Sequence, residues 1–384
     1  MKKIISIFLS VVMLCCMAMP FASAATPAEE AKLQFNEDGS FKIMNISDIQ
    51  DQANLLGITA DFMAAAIEAE QPDLIILTGD NISGNSLAAN KTEQAIRSVM
   101  DVLDPFGIPV AIVFGNHDEE SGVSKEEQMA IYNTYDCSIS YDDGEALWGC
   151  GTYNIPVYSS TDDSKVVFNC WMFDTGNRDA DGEYDHVKQD QLDWYKAKSA
   201  ELKAANGGEV VPSIAFQHII VPEIFDALDV VDSSTPGAVA KLGKFYALPE
   251  TAAEGSFMGE SPCPSGTNGG EFDAFLECGD VLAVVSGHDH TNSFVVPHKG
   301  IDIINTPTCG FRSYGSSESR GIRIFELNEA TPAEYTTRMV TFEEFFADDA
   351  GKMFVAAFYG FIGDLQTFFY GLWAKVASLL GING

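Results

Sequence analysis

The sequence predicts an α/β fold: a parallel sheet with helices packed outside it. Two observations predict it. Short apolar runs alternate with segments of helical spacing from residue 41 to residue 114, and parallel neighbours in a sheet need such helical crossovers. Nearly every residue with metal-binding chemistry also lies just past the carboxyl end of one of these runs. That is the edge where open α/β sheets bind ligands.

The elements follow in order. Ala25 to Asp38 form a polar lead-in, and Phe41 to Ile46 is a strand ending at Asp48. Leu55 to Glu70 is a helix, with Leu55, Ile58, Phe62 and Ala66 on one side. Asp73 to Leu77 is a short, continuous apolar run, hence a buried strand, and it closes on Gly79-Asp80. Lys91 to Leu103 is helical, and Pro109 to Phe114 is a strand ending at Gly115-Asn116-His117. Thr152 to Tyr158 and Val166 to Phe173 are strands; Val187 to Ala205 is a helix broken by Asn206-Gly207-Gly208. Val210 to Phe216 is a strand that delivers His218. Clusters of Pro, Gly and Ser make Asp226 to Gly270 loop-rich. Phe272 to Cys278 is a short helix, and Val281 to Val285 is a strand ending at Gly287-His288. Phe294 to Val296, Ile301 to Asn305 and Gly321 to Glu326 are further strands.

The chain has 384 residues, 46% hydrophobic and 20% charged, which is a globular composition. No boundary divides the motif-bearing region, so residues 25–346 form one expected domain. Acidic residues outnumber basic ones by 56 to 22, for a net charge of −34. Such a surface repels nucleic acid and anionic lipid. A phosphate site on it needs local positive charge, which metal ions supply. Residues 1–24 have the form of an export signal: Lys2 and Lys3, then apolar Ile4 to Met19, then a small-residue cleavage site at Ala22-Ser23-Ala24. The expected location is therefore secreted or on the cell surface. Six cysteines remain beyond it, none with Cys-x-x-Cys spacing. Cys137 and Cys150 are the favoured disulfide, across a short polar loop, and buried free thiols are the alternative.

Four of the six histidines fall in three short segments: Gly115-Asn116-His117-Asp118, Gln217-His218 and Gly287-His288-Asp289-His290. With Asp48-Ile49-Gln50 and Gly79-Asp80 these offer oxygen and imidazole ligands for two adjacent cations. Asp80, in a tight turn, is the candidate bridge. Asp48 adds a carboxylate, Asn116 an amide oxygen, and His218, His288 and His290 imidazoles. His288 and His290, two apart on an extended segment, lean the same way. This donor mixture suits Mn, Fe or Zn better than Ca alone. His117 is the expected general acid or phosphate-orienting group, with Asp118 fixing its tautomer. Asp289 is expected to support its neighbours. Two metals a few ångströms apart imply hydrolysis of a phosphoester with a bridging hydroxide as nucleophile.

In this order the segments resemble the calcineurin-like metallophosphoesterase superfamily, over roughly residues 40–328. Within it the chain looks like the single-domain branch related to purple acid phosphatases. Tyr184-Asp185-His186-Val187-Lys188-Gln189, Gln191-Leu192-Asp193-Trp194-Tyr195, His218-Ile219-Ile220-Val221-Pro222-Glu223 and Arg320-Gly321-Ile322-Arg323-Ile324-Phe325-Glu326 carry that likeness. The resemblance implies a four-layer α-β-β-α sandwich of two mixed sheets. It also implies one metal on Asp48, Gln50, Asp80 and His290, a second on Asp80, Asn116, His218 and His288, and a catalytic His117. Two departures matter. Gln50 stands where the family usually has histidine. As an amide-oxygen donor it tilts that site toward Mn or Mg, or it leaves the site partly empty. Ser83 stands where purple acid phosphatases place a tyrosine, so no purple colour or obligate ferric ion is expected.

The expectation is an exported two-metal phosphoesterase acting on a phosphorylated small molecule, a phosphomonoesterase first. A phosphodiesterase or nucleotidase is the alternative, and a surface binding protein with an impaired metal site is a third. Asn116, His117 and Arg312 are candidate substrate contacts, with a structural turn as the alternative for Arg312. Residues 347–384 form a linker and tail, in which Phe354, Phe358, Ile362, Leu365, Phe369, Leu372, Val376 and Leu379 recur at helical spacing. Such an aromatic face suits a membrane interface. Docking on the chain's own core and self-association are the other expectations.

Overall fold

The computed structural model describes residues 26–143, 147–315, 319–363 and 365. The export signal at residues 1–24 and the tail positions beyond 365 lie outside the described residues. Fifteen strands are present among those described: β1 (Ser40–Ile46), β2 (Leu74–Thr78), β3 (Val110–Val113), β4 (Tyr153–Tyr158), β5 (Val166–Met172), β6 (Ser213–Phe216), β7 (Asp229–Val231), β8 (Val239–Lys241), β9 (Lys244–Ala247), β10 (Phe257–Met258), β11 (Val281–Ser286), β12 (Asn292–His298), β13 (Ile301–Asn305), β14 (Gly321–Asn328) and β15 (Tyr335–Thr341).

Alternation along the strands generates the layers, because successive side chains point to opposite faces of a sheet. Phe41 and Ile43 of β1, Leu74 and Ile76 of β2, and Ala111 and Val113 of β3 enter one core. Their neighbours Met44, Ile46, Ile75, Leu77, Val110 and Ile112 enter another, roofed by Phe62, Met63, Ala66, Ile96 and Val99 of the helices Gly57–Glu70 and Ala89–Leu103. This five-stranded sheet runs β15-β14-β1-β2-β3, parallel across β1, β2 and β3 and antiparallel beyond β1. A seven-stranded mixed sheet, β10-β12-β13-β11-β6-β5-β4, faces it. Tyr153, Ile155, Phe168, Cys170, Ile214, Phe216, Ala283 and Val285 fill the shared core between the two sheets. On the outer side, Trp171, Ala215, Val284 and Ile303 pack beneath Leu192, Tyr195, Phe272 and Phe275 of the helices Gln189–Ala205 and Glu271–Cys278. The result is the expected helix, sheet, sheet, helix sandwich.

Several elements depart from expectation. The stretch 226–270 holds a three-stranded sheet, β7-β9-β8. Its hairpin turns at Leu242-Gly243, both at positive φ. A leucine there replaces the asparagine that normally signals this turn. Lys125–Tyr132 is a helix whose capping box, Ser124 with Glu127, is present in the sequence. Pro27–Ala31, within the lead-in, is a short helix. The expected Cys137–Cys150 disulfide is not formed; the six cysteines are free. The Cys137 carbonyl accepts from Val110 at the start of β3, while Gly151, next to Cys150, abuts the Phe114 ring past its end. That separation, on the order of 13 Å of strand, exceeds what a disulfide spans.

The described part of the tail is helical over residues 350–363. It docks through Ala356, which is buried, with Met353 and Tyr359 against the first outer core. Phe354, Phe358 and Phe361 face outward. The aromatic stripe is thus the face turned away from the core. No described helix is long and apolar enough to cross a membrane.

Phe62 is fully buried and meets Phe342 edge-on at 5.7 Å. Phe62→Ala is expected to cost about 3–5 kcal/mol, while Phe354→Ala should stay within about 0.5 kcal/mol. Denaturant unfolding measures both.

Candidate metal centre

Seven ligand candidates converge on one edge of the sandwich. The first sheet brings Asp48 and Gln50 after β1, Asp80 after β2 and Asn116 after β3. The second brings His218 after β6, and His288 and His290 after β11. Asp80, His218 and His288 offer ligand atoms within 4.8 Å of one another, and so do Asp48, Asp80 and His290. Asp80 belongs to both groups.

The loops are held in costly backbone. Asp48, Gln50, Asp80 and His288 all have positive φ. For a residue with a β-carbon that costs about 1–2 kcal/mol each. Close approach adds a steric demand: a β-carbon on Gly115 would stand 2.2 Å from Asp80 Oδ1.

Hydrogen bonds aim each donor. His218 Nδ1 lies 2.9 Å from the Thr78 carbonyl, so the N–H sits there and Nε2 faces Asn116 Oδ1 at 3.1 Å and Asp80 Oδ2 at 3.3 Å. His290 Nδ1 lies 2.9 Å from the Tyr314 carbonyl, and its Nε2 faces Asp48 Oδ1 at 3.3 Å. That Asp48 oxygen is buried with no hydrogen-bond donor. Lone pairs of a neutral imidazole and a carboxylate repel unless a proton or a cation lies between them. The donor set therefore fits a pair of cations. The other Asp48 oxygen accepts from Ser47 and from the His288 backbone N–H. Gln50 reaches the site through Nε2, which donates to Asp80 Oδ2 at 2.9 Å. Asp80 Oδ1 accepts the His117 backbone N–H at 2.7 Å.

Charge follows this geometry. Burial opposes ionisation of Asp80, yet the neighbouring His218 and His117 hold it well below the usual carboxylate range. Burial also opposes charge on His218, but Asp80 pushes its pKa up to about 10. His288 is driven down to about 3, by burial and by the charge on His218. It stays neutral, as ligation requires.

His117 lies at the exposed side of the cluster, and its Nδ1 bonds to Glu120. This corrects the expectation that Asp118 orients it. The turn beginning at Asp118 swings that carboxylate inward, where it accepts from the backbone N–H groups of Ile82 and Gly115. Asp118 secures the loops, and burial raises its pKa to about 7. Burial disfavours charge on His117, but Asp80 and Glu120 overcome it and raise its pKa to about 9. Arg312 is paired with buried Asp51 and bonds to the Asn54 carbonyl. It buttresses the loop carrying Asp48 and Gln50, as the structural alternative expects. Asp289 accepts from the Cys263 N–H and anchors that neighbouring loop.

Tyr314, a further candidate substrate contact in the sequence beside Arg312, stacks on His290 at 4.1 Å, and its hydroxyl donates to Glu260. Two supporting residues escape a reading of the sequence. Tyr184 stands edge-on to His288 at 4.4 Å. Glu120 has one local signal, its three-residue spacing from His117 on a turn.

The family model of calcineurin-like phosphoesterases matches residues 41–292. The chain is 27% identical over 348 residues to the Arabidopsis thaliana protein named probable inactive purple acid phosphatase 29, covering 81% of each. It is 25% identical to phosphatase DCR2 of Saccharomyces cerevisiae, over 77% of this chain and 53% of that one. A dimetal phosphatase structure from Danio rerio aligns with a TM-score of 0.45 at 14% identity, over 78% of this chain and 98% of that one.

Two outcomes test the site. Gly115→Ala should lose both bound metal, read by elemental analysis, and stability, read by thermal melting, because its new methyl group meets the Asp80 backbone nitrogen as well as the Asp80 carboxylate. Glu120→Gln should lower the His117 pKa in metal-free protein, read by NMR titration; an unchanged value would remove Glu120 from the site.

Proposed function

This chain belongs to the calcineurin-like phosphoesterase family, and from that premise we propose that it is an exported dinuclear-metal phosphomonoesterase. The observation that carries the proposal is the sharing of Asp80 between two adjacent ligand groups. Asp48, Gln50, Asp80 and His290 would hold one cation; Asp80, Asn116, His218 and His288 would hold the other. The mixed oxygen and imidazole donors suit manganese, with iron or zinc as alternatives. When bound, such a pair supplies Lewis acidity toward phosphoryl oxygens and lowers the pKa of water.

The chain's own residues do the rest. His117, bonded through Nδ1 to Glu120, donates a proton to the leaving oxygen or a hydrogen bond to the phosphoryl group. Glu120 holds its ring. Tyr184 and Tyr314 wall the two imidazoles against rotation. Asn116 offers an amide to the substrate as well as a ligand oxygen. Phosphate monoesters are the proposed substrates, with diesters and nucleotides the alternative. Export rests on the leader sequence at residues 1–24.

A second reading, a binding protein with an impaired site, is favoured by one contact. Gln50 presents N–H, not a lone pair, to Asp80, so its amide must rotate before its oxygen can ligate.

The two separate on purification with manganese. Two equivalents per chain with turnover of an aryl phosphate support the enzyme. One or none, without turnover, supports the binder. In the enzyme, His117→Ala should lower kcat by at least about 10²-fold with metal content unchanged. Undiminished turnover would remove His117 from the chemistry.

A further inference from the structure

Behind the His218 loop, away from the pair centred on Asp80, three acceptor oxygens are buried without donors. They are Gln217 Oε1, Glu223 Oε2 and Glu271 Oε1. Gln217 is 1% exposed, Glu223 7% and Glu271 8%. Each side chain is already anchored by its other polar atom. Gln217 Nε2 donates to the Ile219 carbonyl at 2.8 Å and to Glu271 Oε2 at 3.3 Å. Glu223 Oε1 accepts from Asn268 at 2.7 Å. The Gln217 amide orientation is thereby set, since both its neighbours are acceptors. Among the described residues no lysine or arginine pairs with either glutamate. Gln217 touches Glu271 directly, and Glu223 lies near enough for its charge to help raise the Glu271 pKa; two buried carboxyl groups and an amide oxygen without donors thus share this part of the interior, which is costly at low dielectric.

We infer that Gln217 Oε1, Glu223 Oε2 and Glu271 Oε1 together bind one hard divalent cation of the calcium type. The set is all oxygen, with two carboxylates to balance the charge and one neutral carbonyl. That is the chemistry calcium takes, with water completing its coordination. No imidazole or thiolate belongs to the set, so the softer ions that suit the Asp80 pair gain nothing here. Binding leaves the existing hydrogen bonds intact, because each residue uses the oxygen it has free. The site ties three segments together: the end of β6, the start of the short helix Ile224–Ala227, and the start of the helix Glu271–Cys278. Gln217 is followed directly by His218, so occupancy steadies the loop that carries that imidazole. In the absence of a cation a proton does the same job, and the Glu271 pKa rises to about 8, chiefly from burial.

The test is calcium titration of metal-free protein by calorimetry and thermal melting. The double variant Asp48→Asn/Asp80→Asn, which disables the other pair, is compared with the same variant carrying Glu271→Gln as well. One equivalent of calcium should bind the double variant and raise its Tm, and that event should vanish when Glu271→Gln is added. Adding Glu223→Gln instead gives the same comparison should the Glu271→Gln form fail to fold. No calcium bound by the folded double variant, or binding that survives either addition, overturns the inference. None of these readouts involves phosphoesterase activity, so the inference and the proposed function fail separately.

Discussion

The buried carboxylate of Asp80 is the charge around which the site is arranged. It is nearly inaccessible to water, it sits in left-handed backbone, and the chain brings His218, Gln50 and the His117 N–H to its two oxygens. An isolated carboxylate would not remain ionised there. Its stability depends on those neighbours, and theirs depends on it: His218 and His117 hold their protons because Asp80 is charged. Removing any one of them exposes the others to an uncompensated interior. Three of the loops that meet here have positive φ at four positions, Asp48, Gln50, Asp80 and His288. The strain is carried by the packing of both sheets beneath them.

Each sheet supplies half of the chemistry. Oxygen donors come from the first and imidazoles from the second, and the core between the sheets sets the gap across which they meet. β1, β2 and β3 end together because their registers are aligned, Ile46 beside Leu77 and Leu77 beside Ile112. β6 and β11 do the same on the other side. Positioning is thus a property of strand length and register, which packing makes rigid. The outlying partners then adjust orientation: the Thr78 and Tyr314 carbonyls accept from Nδ1 of His218 and His290 and so turn the two Nε2 atoms toward the carboxylates.

Much of this is legible in the amino-acid sequence. Strands such as Leu74–Thr78 announce themselves because burial on both faces demands an unbroken apolar run, and the ligands are recognisable because metal chemistry admits few residue types. The sandwich and the convergence of Asp48, Asp80, Asn116, His218, His288 and His290 follow from those two facts. The misses are physical as well. Glu120 rather than Asp118 holds His117 because a tight turn rotates adjacent side chains apart, and sequence adjacency says nothing of direction. The sheet within 229–247 is half exposed and turns on Leu242, so neither apolar pattern nor turn residue marks it. β15 alternates exposed polar residues at a sheet edge, where little is buried to constrain composition. The tail helix shows that a strong apolar stripe need not be the face that docks: Ala356 lets the backbone approach the core where phenylalanine could not.

The pairing of β1 with β14 has a bearing on the order in which the candidate donors are assembled. β1 is the strand that launches Asp48, and one of its two partners ends at Asn328. During translation the carboxylates and amides of residues 48–116 emerge long before His218, and longer still before His290. Under the proposed two-cation reading, a nascent chain would meet cations first with oxygen donors alone, which discriminate poorly between hard and transition-metal ions. The nitrogen donors, and the selectivity they would bring, would join only after His218 and His290 have emerged and β14 has closed the first sheet.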